Sequence, residues 1–374
     1  MNVAIIGGGV IGLSLAWELS QRGHQITLID QEAFGKKASW AGAGILLPGN
    51  ASTAIHPLEH LEALSNDLHH SWAQRLLEQT GIDNGYRNCG GLYVATSAGE
   101  VATLAGSLGF WKERSIRVES LDRETFAARY PALGHLAQAK PFAAAWAPDE
   151  AQICNPWHVQ ALVRACELSG VELLPEHAVS DFQFTPQRIA SLQVGDQHRE
   201  FEQIVFACGA WTEQVTADFA DCLPMVPVRG QMLLYKLDQP LRTPIVNEGT
   251  RYVVPRDDGH VLVGATIEEV GFNESTNASS IETLAGDAER LVPSLRREKL
   301  LKSWAGLRPG THDGFPYMGR LPGWENVFVS TGHFKTGLQL SPGTAVSMAD
   351  FIEGKTPAID LTPFAPSRVL NSQL

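Results

Sequence analysis

Three glycines and an aspartate near the start of the chain carry its clearest chemistry. Gly7, Gly9 and Gly12 form G-x-G-x-x-G, and Asp30 follows shortly after. Gly7 permits a tight turn, Gly9 lets the backbone approach a pyrophosphate, and Gly12 lets a helix pack closely on strands. The helix N-terminus offers free N–H groups and partial positive charge to the phosphates. Asp30 can accept both ribose hydroxyl hydrogens, and an acid there disfavours a 2′-phosphate. The ligand is therefore FAD or NAD rather than NADP. Just beyond, Ala38, Ser39, Ala41, Gly42, Ala43 and Gly44 are small enough for the backbone to lie against a flat ligand, and Ser39 can donate to a phosphate or ribose.

The elements that must position these residues are legible around them. Val3–Ile6 reads as a buried strand, Leu13–Arg22 as a helix ended by Gly23, and Gln25–Ile29 as the next strand. This context lifts the glycine motif above a chance match. Leu58, Leu61, Leu64, Leu68, Trp72, Leu76 and Leu77 recur at helical spacing and predict a core-facing helix over His56–Thr80. Tyr86–Thr96 and Ala143–Pro148 read as strands, with helices at Ala98–Ser107 and Asp122–Tyr130 between them. Pro156 can occupy the first turn of a helix over Trp157–Ser169. Val171–Leu174, Ala178–Phe184 and Phe201–Cys208 return the chain to the first sheet, with Val179 at a strand edge suited to an adenine.

Val226–Leu237 and Ile245–Pro255 predict strands, and Asp257-Asp258-Gly259 a hairpin turn. A helix spans Ser280–Leu291, capped by Ser279 or Ser280, and Leu300–Leu307 is a strand leading to Arg308. Val327–Ser330, a glycine-containing turn at Thr331–Gly337 and a helix over Leu338–Ile352 repeat the strand–turn–helix theme. That helix should begin properly around Pro342. A second helix N-terminus aimed at the ligand suits a flavin, whose reduced form is anionic and is stabilised by a helix dipole by about 1–2 kcal/mol.

Composition excludes other classes. The 374 residues suffice for two domains, with 44% hydrophobic and 19% charged residues. A net charge of −12 with no basic cluster argues against nucleic-acid binding. Cys89, Cys154, Cys166, Cys208 and Cys222 are odd in number and lack metal-ligand spacing, so reduced thiols in a cytoplasmic protein, with no metal site, are expected. The His69-His70 doublet reads as a solvated helix face. No basic leader or long apolar run predicts a signal peptide or a membrane span. Thr362–Leu374 is expected to fray.

Six stretches resemble one family. They are VAIIGGGVIG (3–12), ASWAGAGIL (38–46), FACGAWT (206–212), RYVVPRDDGHVLVGAT (251–266), WAGLRPGTHDGFPYMGR (304–320) and GHFKTGLQLSPGTA (332–345). In order and spacing the chain resembles the glycine oxidase (ThiO-type) branch of the D-amino-acid oxidase family of FAD enzymes. The resemblance implies an α/β fold. A Rossmann-like FAD-binding domain of the glutathione-reductase type would comprise 1–85, 149–221 and 306–374. A second, α+β substrate domain on a mixed, largely antiparallel sheet would comprise 86–148 and 222–305.

The resemblance also assigns residues. The pyrophosphate lies over Gly7, Gly9, Val10, Ile11 and Gly12, the ribose on Asp30 beside Gln31, and the diphosphate region against Ala38 and Ser39. Ala43, Gly44 and Ile45 touch the flavin, Val179 the adenine region, and Gly209 the cofactor. His333, Phe334, Lys335, Thr336, Gly337, Leu338 and Gln339 wrap the pyrimidine end. Arg308 and Tyr252 hold a substrate carboxylate, with Lys335, Ile45 and Ile267 at the same pocket. Lys335-Thr336 stands where relatives often carry Arg-Asn, and Ile267 where a methionine can line the pocket. No cysteine lies in Leu307–Tyr317, where sarcosine oxidases attach FAD, so noncovalent FAD is expected.

The implied reaction is oxidative deamination of glycine, sarcosine or a small D-amino acid. Oxygen would be the electron acceptor, and 2-oxo acid, ammonia and hydrogen peroxide the products. Glycine imine could feed thiamine thiazole synthesis, and a homo-oligomer is implied. The competing readings are a dehydrogenase passing electrons to a quinone or protein, and a flavin-binding subunit of a larger complex.

Overall fold

Alternating burial on both faces of one sheet explains the first half of the architecture. The computed structural model describes residues 1–220 and 223–370; Cys222, the expected boundary at 221/222 and the tail 371–374 lie outside the described residues. A six-stranded sheet runs in the order Tyr317–Arg320, Val327–Thr331, Gln203–Phe206, Asn2–Ile6, Gln25–Ile29, Glu172–Leu174. All its pairings are parallel except that of Tyr317–Arg320 with Val327–Thr331. Val3, Ile5, Leu28, Val205 and Phe328 face one core, and Ala4, Ile6, Ile29, Phe206 and Val329 face another. Strands buried on both faces read as continuous apolar runs, which is why they were visible in the sequence.

Helices Val10–Gln21, Pro57–Thr80, Asn155–Leu168 and Gly337–Ile352 cover the first face. Trp17 meets Trp72 edge-on at 4.8 Å between ring centroids. Arg22 bonds Glu18, Asp350 and Glu353, tying the end of the first helix to the last. The other face carries a three-stranded antiparallel sheet of Val179–Thr185, Arg188–Val194 and Gln197–Arg199. The last two strands were not expected from the sequence: Ile189, Leu192 and Val194 of the second are core residues but follow no strict alternation, and the third is short and polar.

An eight-stranded sheet forms the second half, in the order Leu300–Gly310, Val226–Lys236, His260–Gly264, Arg251–Pro255, Ile245–Glu248, Gly91–Ala95, Ala143–Ala147, Glu119–Leu121. It is antiparallel except where Ile245–Glu248 runs parallel to Gly91–Ala95. The expected mixed, largely antiparallel sheet is thus present. Ile45–Leu46, Ala151–Gln152 and Arg87–Asn88 form a small sheet linking the halves, and the strand Leu300–Gly310 crosses the expected 305/306 boundary.

Several local expectations are corrected. Ile245–Pro255 is two antiparallel strands, not one, because Gly249 turns the chain at φ +57°. Asn277, not Ser279 or Ser280, caps the helix Ala278–Leu291; its side-chain oxygen accepts from Ser280 N–H at 2.8 Å. The last long helix starts at Gly337 and carries Pro342 inside it. His69 is a buried core residue rather than part of a solvated face, whereas His70 is exposed; Leu77 is 45% exposed and leaves the predicted core stripe. The helix after Ser97 runs to Glu113, longer than expected.

Two glycine substitutions separate packing from propensity. A Cβ on Gly12 would overlap the Gly7 carbonyl oxygen, while nothing stands near an exposed, mid-helix Gly106. Gly12→Ala should destabilise the protein by about 2–3 kcal/mol. Gly106→Ala should stabilise it by roughly 0.5–1 kcal/mol. Denaturant unfolding of both variants checks the pair.

Candidate functional site

The two sheets and the last long helix enclose a cavity of about 520 Å³, within the range of small-molecule sites. At one end the turn after Asn2–Ile6 is held by Gly7 N–H donating to the Ile29 carbonyl at 2.8 Å. Gly7 sits at φ +110°, and a Cβ there would overlap the Ala207 carbonyl. The helix begins at Val10, where Gly9 offers no side-chain cap. Ser39 Oγ, from the next loop, accepts from Val10 N–H at 2.8 Å, which leaves its own proton free for a phosphate oxygen. Gly7, Gly9, Val10, Ile11, Ala38 and Ser39 all line this end. Gly12 does not; it packs the helix against the turn.

Asp30 is fixed by accepting Gly8 N–H at 2.6 Å on one oxygen and Glu32 N–H at 2.9 Å on the other. Burial raises its pKa, and these two donors oppose the rise. Gln31, Val179 and Gly209 line the same end. Lys37 joins them unforeseen. It pairs with Glu32 and Glu274 at 2.8 Å each, and its ammonium lies over the Trp211 ring. Its charge beside the motif was visible as Lys36-Lys37, but its two acidic partners are far apart in sequence.

In the middle, Ala43, Gly44 and Ile45 form one wall. The buried Arg256 guanidinium donates to the Ala43 carbonyl at 2.8 Å and to Gln152 at 2.6 Å. Facing it, His333–Gln339 lead into the helix Gly337–Ile352, whose N-terminus has no side-chain cap. His333 is buried against Thr344 Oγ1 at 3.1 Å, and burial pushes its imidazole down to about 3, so it is neutral. Phe334 adopts φ +48°, held by its N–H donating to the Pro309 carbonyl at 2.9 Å.

At the far end, Arg308 and Tyr252 come together from different strands. The Arg308 guanidinium lies flat on Gly230, where any Cβ would overlap it, and donates to the Thr266 carbonyl at 3.1 Å. The Tyr252 hydroxyl stands beside Arg308 and 3.3 Å from Met232 Sδ. Burial raises the tyrosine pKa against the pull of Arg308, so the hydroxyl stays a donor. Lys335 completes a cationic corner; desolvation and the nearby Arg308 both lower its pKa. Ile267 is the exception: it is 47% exposed, lies off the cavity wall and borders a separate depression with Thr250 and Ser280.

Three buried polar atoms on the cavity wall have no protein partner: Asn155 Oδ1, Ser330 Oγ and Gln339 Oε1. With an uncapped helix N-terminus at each side and a carboxylate at one end, they suit a ligand with phosphates, hydroxyls and a polar ring. Among the described residues no group of three or more His, Cys, Asp or Glu side chains is placed to hold a metal ion, and Cys89, Cys154, Cys166 and Cys208 are free thiols. No helix among them is long and apolar enough to cross a membrane.

A βαβ cradle for a dinucleotide, facing a sheet that presents an arginine and a tyrosine, defines a flavoprotein oxidoreductase of two-sheet architecture. The chain belongs to the FAD dependent oxidoreductase family, whose pattern matches residues 2–351. It is 34% identical to the glycine oxidase of Pseudomonas putida over 369 residues, covering 98% of each chain. It is also 31% identical to the bifunctional protein ThiO/ThiG of Synechocystis, covering 99% of this chain and 54% of that protein. The crystal structure of glycine oxidase from Geobacillus kaustophilus superposes with a TM-score of 0.91 at 32% identity, covering 98% of each chain.

The site also sets an acid limit. His69 Nε2 donates to the Gln339 carbonyl at 2.8 Å beneath the cavity, and burial pushes its pKa down to about 4. The unfolded chain binds a proton near pH 6.5 that the folded state refuses, so His69 contributes stability above pH 6.5 that is lost as pH falls toward 4. His69→Gln keeps a donor but does not titrate. The drop in unfolding free energy from pH 7 to pH 5 should shrink by about 2 kcal/mol in this variant, as read by urea unfolding at the two pH values.

Proposed function

We propose that this chain is an FAD-dependent oxidase of small amino acids, with glycine as the first substrate and sarcosine and small D-amino acids behind it. One observation carries the reading: Arg308 and Tyr252 converge on the cavity wall beside the turn His333–Gln339. The names of the relatives support the choice of glycine. The proposed domain division gives 1–85, 149–221 and 306–374 to the cofactor and 86–148 with 222–305 to the substrate, with the strand Leu300–Gly310 running across the boundary between them.

Gly7, Gly9, Val10, Ile11 and Ser39 would hold the pyrophosphate and Asp30 with Gln31 the ribose. Val179 would hold the adenine, and Ala43–Ile45 with His333–Gln339 the flavin, without a covalent link. FAD, when bound, would supply the acceptor for the substrate's α-hydrogen, with oxygen as the final electron acceptor and hydrogen peroxide as its product. The chain's own part is orientation. Arg308 forms a bidentate pair with the carboxylate, Tyr252 donates to the same group, and Lys335 adds a second positive charge. Holding the α-carbon in one place supplies much of the rate.

Among the described residues the carboxylates on the cavity wall are Asp30 and Glu32, both at the ribose end. Neither stands beside Arg308 to take a proton from the amine, so the substrate reacts as its neutral amine. The imine leaves for hydrolysis to the 2-oxo acid and ammonia, or for use in thiazole synthesis for thiamine. A cytoplasmic homo-oligomer completes the reading.

Anaerobic addition of glycine should bleach the flavin absorbance of the purified protein; a spectrum unchanged by glycine, sarcosine and D-alanine would overturn the assignment. Arg308→Ala should remain yellow yet lose roughly 100-fold or more in kcat/KM. In the unaltered enzyme kcat/KM should rise from pH 6 toward pH 10, and a flat profile would remove the neutral-amine requirement.

A further inference from the structure

Asn247 occupies the cavity wall next to the carboxylate-binding pair, and the sequence reading gave it no role. Met232, Gly264, Tyr252, Asn247 and Tyr93 stand in register across five neighbouring strands of the eight-stranded sheet. Residues paired across a sheet project from the same face, with Cβ atoms about 5 Å apart in neighbouring strands. Met232, Tyr252 and Asn247 accordingly all line the cavity. Asn247 sits one strand beyond Tyr252, which in turn stands beside Arg308.

The nitrogen of this amide already has a partner in the protein. Asn247 Nδ2 donates to a Glu150 carboxylate oxygen at 3.1 Å. Glu150 is fully buried, and its other oxygen takes the Tyr93 hydroxyl. Gly91 lies flush against it, where any Cβ would overlap the carboxylate. Burial pushes the Glu150 carboxyl up to about 7, and in either protonation state it keeps an oxygen that can accept from Asn247. With its nitrogen drawn to Glu150, the amide has its oxygen left to meet a ligand, at an end of the cavity otherwise furnished with donors: the Arg308 guanidinium, the Tyr252 hydroxyl and the Lys335 ammonium. An amino acid needs donors for its carboxylate and an acceptor for its amine.

We propose that Asn247 accepts a hydrogen bond from the substrate's amine nitrogen, and that Glu150 is a positioning residue that fixes the Asn247 amide for this task. The pair makes the pocket selective for a carboxylate with an N–H group on the neighbouring carbon. The proposal rests on the amino-acid oxidase reading given above.

The test compares two probes on the FAD-loaded enzyme: glycine, which has the amine, and acetate, which has only the carboxylate. Acetate binding is read from its perturbation of the flavin spectrum, and glycine from KM, kcat and anaerobic bleaching. Asn247→Ala should weaken kcat/KM for glycine about tenfold or more while moving the acetate Kd less than twofold. Glu150→Leu should reproduce that split, and Glu150→Gln, which retains an acceptor for Asn247, should restore glycine use to near the unaltered level. Equal loss of glycine and acetate in Asn247→Ala would mean a merely structural role and overturn the proposal, as would no change in either. If Glu150→Leu fails to fold, the Asn247→Ala comparison decides alone. If the unaltered enzyme binds acetate but is bleached by no amino acid, the oxidase reading fails and this assignment falls with it.

Discussion

A helix N-terminus that no side chain of its own caps is the constraint on which this structure turns. The helix Val10–Gln21 begins at the cavity wall, and among the described residues Ser39 Oγ is the side chain that meets one of its first N–H groups. Unsatisfied helix donors are costly in a closed site unless an anion meets them. The helix can approach that point only because Gly12 lies against the Gly7 carbonyl and Gly7 against the Ala207 carbonyl. The contact joins the first strand, the first helix and the strand Gln203–Phe206 into one cradle. The last helix, Gly337–Ile352, repeats the arrangement from the opposite side, likewise without a side-chain cap.

The wall that carries Arg308 and Tyr252 is built on a different principle, in which small residues make room for large polar ones. Gly230 gives the Arg308 guanidinium a flat bed, and Gly264 does the same for the Tyr252 ring, where a Cβ would meet the ring at 2.7 Å. Neither glycine touches a neighbour in sequence that would betray this use. The wall also concentrates positive charge within a chain of net charge −12. Local placement, not net charge, decides what the cavity attracts.

These two principles explain what could be read from the sequence. The cofactor cradle is local: strand, turn, helix, strand and acid lie within the first thirty or so residues, each with its own pattern. Arg308 and Tyr252 were found through family resemblance, since nothing near either residue marks it as a ligand. What stayed hidden depends on partners distant in sequence. His69 is buried because Gln339, on the last helix, lies over it. Asn277, whose own N–H donates to the distant Gln231 side chain at 2.9 Å, holds the extended backbone a cap needs, and both serines fall inside the helix. Ile267 leaves the pocket because the segment after Thr266 turns outward, with Glu268 drawn to Arg229 at 2.6 Å. Pro342 falls within the helix because the turn before it already begins the helical path at Gly337.

One backbone bond joins the two halves where chemistry would occur. Arg308 lies near the end of the strand Leu300–Gly310, and the next residue, Pro309, accepts the Phe334 N–H at 2.9 Å. Phe334 holds a left-handed conformation that costs a bulky residue about 1–3 kcal/mol and persists only where its surroundings impose it. Strain of this kind persists where a geometry is worth keeping, and here it fixes the turn His333–Gln339 relative to Arg308. Because transfer between two oriented groups is sensitive to displacements of about 1 Å, the distance from Arg308 to that turn is the quantity this arrangement holds fixed. The strand Leu300–Gly310, at the edge of the eight-stranded sheet, is thus the ruler of the site, and the strained residue bonded to Pro309 keeps the ruler from slipping.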